Sequence, residues 1–298
     1  PNIVLITAAG VRPGHLGAYA YEVPSGGYVI RMQQGVLRAC GAADYELLIR
    51  PCNYRRPDIG DELRVLIDQA RPDGIVLAAP LSNMPTIVDA ISATSTPMVR
   101  LSPGQENGEH YTVVTNDRAV CAEMTRYLAS LGHTRIAFIK GHPSHKAIEN
   151  RFRGYQDGLQ QSGLALSEDL VVAGNNSFSA GEACANALLT SDKPPTAIFA
   201  ANDDMAAGVI RAADKLGIDV PGELSVAGFD DISLARQICP SLTTIRQPLC
   251  EMAERAAQAL IRDPGDGSTL HGTDLVPATL MIRESTGPAP AHSASLSE

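Results

Sequence analysis

The sequence repeats one pattern, in which a short run of consecutive apolar residues is followed by a longer stretch with helical spacing. RIAFI precedes RFRGYQDGLQQSG, and TAIFAA precedes DMAAGVIRAADKLG. This alternation predicts βα units with parallel strands, and apolar runs without polar alternation are typical of strands covered by helices on both faces. The pattern therefore predicts an α/β fold with doubly wound parallel sheets, and it contains enough units for two sheets rather than one.

The strand candidates locate the two sheets along the chain. They lie near residues 5, 47, 76, 99, 137, 198 and 226, and a final pair of strands is expected in TDLVPATLMIR. The first sheet is expected to end near residue 114 and the second near 243. Gly132 and Gly217 follow apolar turns, where a left-handed residue commonly ends a helix. The segment 287–298 is rich in Pro, Ala and Ser, which predicts a disordered tail.

Composition restricts the function classes. The 298 residues have a formal net charge of -9, which opposes a nucleic-acid footprint on this chain because phosphate binding requires clustered Lys and Arg. No apolar run is long enough to span a membrane, and the N-terminus lacks the features of a secretory signal. Six scattered cysteines without C-x-x-C pairs predict unpaired thiols in a reducing compartment, so we expect a cytoplasmic location.

Polar residues follow several apolar runs at the points where the predicted strands end. These are Asn116 and Asp117 after YTVVT, Asn202 and Asp203 after TAIFAA, Asp230 and Asp231 after LSVAGF, and Arg151 early in the helix after RIAFIKG. Ligands of open α/β sheets bind outside the carboxyl ends of the strands. Carboxylates, amides and a guanidinium suit a small polyhydroxylated ligand, because together they accept and donate hydrogen bonds.

A structural role explains the same residues one at a time. Asn and Asp are common N-caps at strand-to-helix junctions, and Arg151 fits an exposed helix face equally well. Only convergence of the whole set distinguishes a binding site from local capping.

Catalytic and metal signatures were not found in the sequence. It contains no G-x-S-x-G, G-x-x-x-x-G-K-[ST], G-x-G-x-x-G or H-E-x-x-H motif. His142 and His145 are interrupted by Pro143 and lack a nearby third ligand, so the GHPSHK segment predicts a loop rather than a metal site. We therefore expect no enzyme activity, no cofactor and no metal.

Several ordered motifs resemble the effector-binding core of LacI/GalR-family transcriptional regulators. They are LGHTRIAFIKG, NRFRGYQDGL, NDDMAAG, DVPGELSVAGFDD, PSLTTIRQP and LVPATLMIREST. The resemblance is clearest over 113–286. It implies two Rossmann-like subdomains of the type I periplasmic-binding-protein kind, joined by three crossovers, with the ligand in the cleft between them. It divides the chain into an N-terminal subdomain (1–115 and 246–272) and a C-terminal subdomain (116–245 and 273–286).

The resemblance also implies roles for individual residues. Ligand contacts are expected in the C-terminal subdomain and the crossovers from Arg151, Asn202, Asp230, Phe178 and Gln247. In the N-terminal subdomain, ligand contacts are expected from Tyr21 and Glu22 in the loop after the first strand. Asn116 and Asp117 are also expected to contact the ligand, and they stand where many family members have Asp-Asn.

The function implied by the resemblance is ligand sensing. A small effector, a sugar or sugar derivative, would close the cleft of a homodimer and thereby control operator binding. Operator DNA would be bound only through an N-terminal helix-turn-helix and hinge helix of about sixty residues, which this sequence does not contain. Two alternatives stay open, a sugar-binding protein of an importer and an enzyme that uses Asp203-Asp204 or Asp230-Asp231 as acid and base.

Overall fold

The computed structural model describes residues 3–7, 18–22, 26–52, 57–94, 96–104, 108–143, 145–262 and 270–291. For 3–7, 18–22, 26 and 49–52 it describes the backbone path alone. The helices are α1 Gly26–Ala42, α2 Ile59–Ala70, α3 Pro85–Ser92, α4 Asp117–Ser130, α5 Ala147–Gln161, α6 Phe178–Leu189, α7 Asp203–Leu216, α8 Leu234–Gln237 and α9 Leu249–Arg262. Short 3-10 helices lie at Leu81–Asn83 and Glu168–Leu170.

The strands alternate with these helices along most of the chain. They are β1 Ile3–Thr7, β2 Ala18–Glu22, β3 Leu48–Cys52, β4 Ile75–Leu77, β5 Met98–Leu101, β6 Tyr111–Val114, β7 Ile136–Lys140, β8 Val171–Ala173, β9 Ala197–Ala200, β10 Ser225–Asp230, β11 Thr243–Arg246, β12 Thr273–Leu275 and β13 Thr279–Met281. Sheet A has the order β12-β6-β5-β4-β2-β1-β3, and sheet B has the order β13-β11-β10-β9-β7-β8. Most neighbouring strands are parallel, which confirms the predicted α/β class.

Helix α7 illustrates how local sequence sets the element ends. The Asn202 side chain accepts a hydrogen bond from the Met205 amide and caps the helix, and Asp203 and Asp204 occupy the first turn, where acidic groups interact favourably with the helix dipole. Gly217 ends the helix with a φ of 71°. A left-handed residue at this position suits glycine, as the sequence indicated, and Gly132 after α4 has a φ of 92°.

Contacts divide the chain into two compact units. Unit 1 comprises Pro1–Asn116, Pro143–Glu149 and Pro248–Ala278, and unit 2 comprises Asp117–His142, Asn150–Gln247 and Thr279–Glu298. In unit 1, α1 and α9 pack on one apolar cluster that includes Val36 and Met252, while α2 and α3 pack on another that includes Leu63 and Ile87. Helices therefore cover β4 and β5 on both faces, which explains their continuous apolar runs.

The core of unit 2 contains an aromatic cluster. Phe138 on β7 stacks on Tyr155 of α5 with ring centroids 5.0 Å apart, and it meets the edge of Phe199 of β9 at 5.2 Å. The Tyr155 hydroxyl donates to the Ile136 carbonyl at 2.8 Å, so the buried polar end of this ring is satisfied. This cluster fixes α5, the helix that carries Arg151, against β7.

The pairing of the first and last strands differs from the sequence prediction. β1 pairs antiparallel with both β2 and β3, rather than entering a purely parallel sheet. Both expected final strands are present, but they join different sheets, because β12 pairs with β6 in sheet A and β13 pairs with β11 in sheet B. β12 thus joins unit 1, although the sequence analysis grouped it with the second half. Pairing partners depend on long-range contacts that an apolar run does not encode.

The prediction of a disordered tail over 287–298 is wrong for its first residues. The Gly287 amide donates to the Ser225 hydroxyl at 3.0 Å, and the Ala289 amide donates to the Leu131 carbonyl at 2.8 Å. These hydrogen bonds attach the segment to unit 2, which Pro/Ala/Ser composition alone did not reveal. Residues 292–298 lie outside the described residues.

Candidate functional site

The carboxyl ends of the parallel strands of sheet B carry the predicted polar residues. β9 ends at Ala200 and is followed by Asn202, whereas β10 ends at Asp230. β11 ends at Arg246 and is followed by Gln247. Because these strands are parallel neighbours, their carboxyl ends lie along one edge, which we call the sheet B edge. The edge is the place in an open α/β sheet where a ligand binds.

Arg151 links several groups of this edge. Its Nε atom donates to Asp117 at 3.1 Å, and its Nη1 atom donates to the Ala201 carbonyl at 2.6 Å. Asp230 lies farther from Nη1, at 3.9 Å, and the guanidinium carbon lies 3.6 Å from the centre of the Phe229 ring. Arg151 is only 9% exposed, so the alternative of an exposed helix-face charge does not hold for it. Asp117 is its main counterion, because that pair is the closer one.

Opposing effects act on the pKa of Arg151. Burial lowers it, while the nearby carboxylates of Asp117 and Asp230 raise it, and the net shift is upward. The guanidinium is therefore a fixed positive charge inside a buried, mostly acidic cluster.

Asp230 accepts a hydrogen bond from a side-chain amide, and its backbone has an unusual conformation. Gln247 donates from Nε2 to Asp230 Oδ1 at 2.6 Å, and both side chains are buried. Asp230 has a φ of 116°, and Asp231 follows with a φ of 52°. Such values are uncommon for residues with a Cβ and occur where the surroundings impose them, often at functional sites.

The pKa of Asp230 lies far above that of an ordinary aspartate. Burial raises it to about 7, against the lowering effects of Arg151 and of the hydrogen bond from Gln247. A carboxyl group that titrates near neutrality can either accept a hydrogen bond as a carboxylate or donate one as an acid. Its protonation state therefore changes within the physiological pH range.

Asn202 performs the capping role that the sequence offered as an alternative, and it also makes a second contact. Its Oδ1 atom caps α7, while its Nδ2 atom donates to the Asn176 carbonyl at 3.0 Å. Phe178, two residues after Asn176, begins α6 and is 42% exposed. The structure therefore places an exposed aromatic ring beside the segment that Asn202 holds.

The remaining predicted residues have different surroundings. Asn116 belongs to unit 1, where its Oδ1 atom accepts from the Ala278 amide at 2.8 Å and fastens the segment after β12. Asp117 belongs to unit 2 and begins α4. Tyr21 and Glu22 were predicted in a loop, but their backbone lies in β2 between β1 and β4. Strand pairing, which the sequence did not show, accounts for this difference.

Asp203 belongs to the strand-end polar residues that the sequence indicated, but it was not among the residues expected to contact the ligand directly. Its carboxyl accepts hydrogen bonds from the Thr244 hydroxyl at 2.5 Å and from the Ile232 amide at 2.9 Å. Burial raises its pKa well above the ordinary value, and the charge of Asp230 adds to this shift. The available signal was its position, since it directly follows Asn202 at a strand end.

Unit 1 has a polar edge of its own at the carboxyl ends of β4 and β5, which we call the sheet A edge. Arg100 donates from Nε to the Ser82 carbonyl at 2.9 Å, and the Ser82 hydroxyl donates to the Leu101 carbonyl at 2.9 Å. Asn83 accepts from the Gly104 amide at 2.6 Å. The buried Oγ of Ser102 and Nδ2 of Asn83 have no hydrogen-bond partner among the described residues. These residues are not apparent as a site from the sequence, because their strand ends show no acidic or amide pair.

The described part of the chain shows neither a metal-binding cluster nor a membrane-spanning helix. There, no group of three or more His, Cys, Asp or Glu side chains is arranged to hold a metal ion. No described helix combines the length and apolar character needed to cross a bilayer. Of the described cysteine side chains, Cys40 and Cys121 are buried thiols, and Cys184, Cys239 and Cys250 are likewise unpaired.

The fold and the two polar edges define a protein of the periplasmic-binding-protein-like class. The family profile described as "Periplasmic binding protein-like domain" matches residues 125–286. The structure of the "transcriptional regulator CelR-cellobiose complex" superposes with a TM-score of 0.80 and 25% identity, covering 87% of this chain and 79% of that one.

Sequence comparison narrows the class to one family. The ribose operon repressor of Escherichia coli strain K12 is 32% identical over 233 residues, which are 76% of this chain and 69% of the repressor. The HTH-type transcriptional regulator GalR of the same strain is 37% identical over 186 residues, 62% of this chain and 53% of GalR. The match thus spans about half the length of GalR. The chain belongs to the LacI/GalR family of transcriptional regulators. Its named relatives are regulators rather than enzymes.

Proposed function

We propose that the sheet B edge binds a small polyhydroxylated effector, a sugar or sugar derivative. The observation that carries the proposal is the buried cluster in which Arg151 lies beside Asp117, Asp230 and the Ala201 carbonyl. Burying charged groups costs desolvation free energy. Groups with perturbed pKa values are concentrated at functional sites. The cluster offers donors and acceptors to one ligand at the same place.

A sugar suits this cluster chemically. Each hydroxyl both donates and accepts, so Asp117 and Asp230 can accept from hydroxyl groups while Arg151 and Asn202 donate to their oxygens. The exposed ring of Phe178 offers an apolar surface to the C–H face of a pyranose or furanose. The names of two similar proteins, a ribose operon repressor and a regulator in complex with cellobiose, support a carbohydrate.

We further propose that effector binding controls operator DNA through a homodimer. The effector can change DNA affinity only if it prefers one conformation of the protein, and the operator must then change effector affinity by the same factor. The net charge of -9 makes DNA contact by this chain unfavourable. The relative named as an HTH-type regulator supports a separate DNA-binding domain in the whole protein.

A binding panel tests the effector class. The probes are D-ribose, D-galactose and cellobiose, with glycerol as a control, and the readouts are thermal shift and calorimetry. A ligand that binds only the folded state raises the melting temperature. We expect at least one sugar to do so in the wild type and to fail with Arg151→Lys, which retains a positive charge without the planar fork. No response from the wild-type protein to any sugar would reject this class.

Two variants separate capping from ligand contact at Asn202. Asn202→Ser retains an N-cap for α7 but removes the amide donor, whereas Asn202→Ala removes both. We expect the serine variant to fold with nearly wild-type stability and to bind sugar more weakly. Unchanged sugar affinity in Asn202→Ser would restrict Asn202 to capping.

Light scattering at micromolar concentration tests the homodimer, which a monomeric mass would contradict.

A further inference from the structure

Asp203 makes no contact with solvent, and both of its carboxyl oxygens are engaged. One oxygen accepts from Thr244 on β11, and the other accepts from the backbone amide of Ile232 after β10. Asp203 itself is the first residue of α7 and directly follows Asn202. One side chain therefore connects the segments that carry three candidate ligand groups, Asn202, Asp230 and Gln247.

The turn after β10 requires stabilising contacts from residues outside the turn. Asp230 and Asp231 are consecutive residues with left-handed φ values, 116° and 52°, and neither is glycine. Conformations of this kind persist only when the surroundings determine them. The Ile232 amide is the next donor along the chain, and its hydrogen bond to Asp203 lies where the strained pair ends. On the other side, Asp231 forms ion pairs with Arg246 and Arg283.

The surrounding backbone is shaped to admit the Asp203 carboxyl. Gly228 pairs with Thr244 in the parallel register of β10 and β11. A Cβ atom at Gly228 would lie 2.4 Å from Asp203 Oδ1, so any side chain there would displace the carboxyl. Glycine at this position of β10 is thus explained by the close approach of Asp203 rather than by a turn.

We propose that Asp203 is a positioning residue, which holds the strained Asp230-Asp231 turn and β11 in the geometry that presents Asp230 and Gln247 to the effector. The role goes beyond capping, because the cap of α7 is supplied by Asn202. The proposal rests on the proposed function in treating Asp230 as a ligand group, but the geometry that it assigns to Asp203 can be measured without a ligand.

Hydrogen bonding at Asp203 is compatible with a neutral group. A protonated carboxyl can donate to the Thr244 hydroxyl with one oxygen and still accept from the Ile232 amide with the other. Asparagine can do the same with its Nδ2 and Oδ1 atoms. Asp203→Asn is therefore the conservative variant that preserves both links, whereas Asp203→Ala removes both and Thr244→Val removes one without changing the shape greatly.

The first measurement is the titration of the Asp230 carboxyl carbon by NMR in the ligand-free protein. If Asp203 holds the turn, Asp203→Ala admits water to Asp230, and its pKa falls from about 7 toward the ordinary value. We expect a fall of about one pH unit or more in Asp203→Ala, a smaller fall in Thr244→Val and none in Asp203→Asn. Tyr155→Phe serves as the control, because it removes a buried hydrogen bond at the opposite end of β7.

The second measurement is the affinity of the variants for D-ribose, D-galactose and cellobiose. Asp203→Ala should lose at least about tenfold in affinity for any sugar that binds the wild type, whereas Asp203→Asn should keep most of it. If Asp203→Ala does not fold, the contrast between Thr244→Val and Asp203→Asn provides the same test. An Asp230 titration that is unchanged in the variants that break a link would overturn the positioning role. Sugar binding that is absent in the wild type would reject the proposed function instead, while the titration would still decide the role of Asp203.

Discussion

The carboxyl edges of the two sheets differ in how their buried polar groups are satisfied. At the sheet B edge, Arg151, Asp117, Asp230 and Gln247 bond with one another, and Asp203 bonds with Thr244 and Ile232. At the sheet A edge, Arg100 and Ser82 bond to backbone carbonyls, but Ser102 Oγ and Asn83 Nδ2 have no partner among the described residues. At the sheet B edge the buried groups bond mainly with one another, whereas the sheet A edge retains buried groups that have no partner in the part of the chain that the structure describes.

This difference predicts how mutations at each edge should change the stability of the protein. Removing one member of a closed buried network leaves its partners uncompensated, so stability falls sharply. Removing a buried group that has no partner relieves a cost, so stability should stay level or rise. Residues that a fold retains at a cost to stability are candidates for binding.

The largest effect is expected from Arg151→Ala. This change leaves Asp117 and Asp230 buried together without their cation, so the free energy of unfolding should fall by about 3–5 kcal/mol. Urea denaturation measures this loss. Arg118→Ala is the matched control, because Arg118 is exposed and solvent screens its ion pair with Asp157, so its removal should change stability little. Similar losses in the two variants would contradict the role of Arg151 as the cation of this buried network.

Asp230 at the same edge should make the free energy of unfolding strongly dependent on pH. Since the pKa of Asp230 is raised to about 7, the folded state binds a proton more tightly than the unfolded state between pH 4 and 7. Stability from this group is thus greatest at low pH and falls as the pH rises to about 7, by at most roughly 4 kcal/mol. Asp230→Asn should flatten the slope of unfolding free energy between pH 5 and 8. An identical slope in that variant would contradict the raised pKa.

Effector affinity should change with pH in the direction opposite to stability, so it should rise as the pH rises. If Asp230 accepts hydroxyl hydrogen bonds as a carboxylate, sugar affinity should fall as the pH is lowered through about 7. Calorimetry with a sugar that binds the wild type, at pH 6 and pH 8, measures this change. We expect a severalfold loss in the wild type and little change in Asp230→Asn, which binds more weakly at both values. A wild-type affinity independent of pH would exclude ionised Asp230 as the acceptor.

The smallest expected effect is a difference in stability between alanine variants of two serines at the sheet A edge. Ser82→Ala removes a hydroxyl that donates to the Leu101 carbonyl, so it should cost about 1 kcal/mol. Ser102→Ala removes a buried hydroxyl without a partner among the described residues, so it should be neutral or slightly stabilising. Thermal and urea unfolding of both variants make the comparison. A loss in Ser102→Ala as large as that in Ser82→Ala would mean that its hydroxyl is bonded in the folded protein.

The sequence predicted the helices and the polar strand ends well, because these depend on neighbouring residues. Alternating apolar and helical segments placed α7 close to its observed bounds and covered most of α5. Asn202 and Gly217 marked the ends of α7, since a cap is formed by groups within one turn of each other. The strand partners of β1 and β12 could not be predicted in this way, because an apolar run does not specify its neighbour.

Within the candidate site, the sequence by itself determined which chemical groups follow the strands, while tertiary structure alone decided what each group does. Arg151 meets Asp117 across 34 residues of chain, and Asp203 meets Thr244 across 41. Whether a carboxyl is a solvated cap or a buried acid that titrates near neutrality depends on desolvation by the whole fold, as Asp230 illustrates. Local propensity encodes the elements, but burial and long-range hydrogen bonds assign the roles.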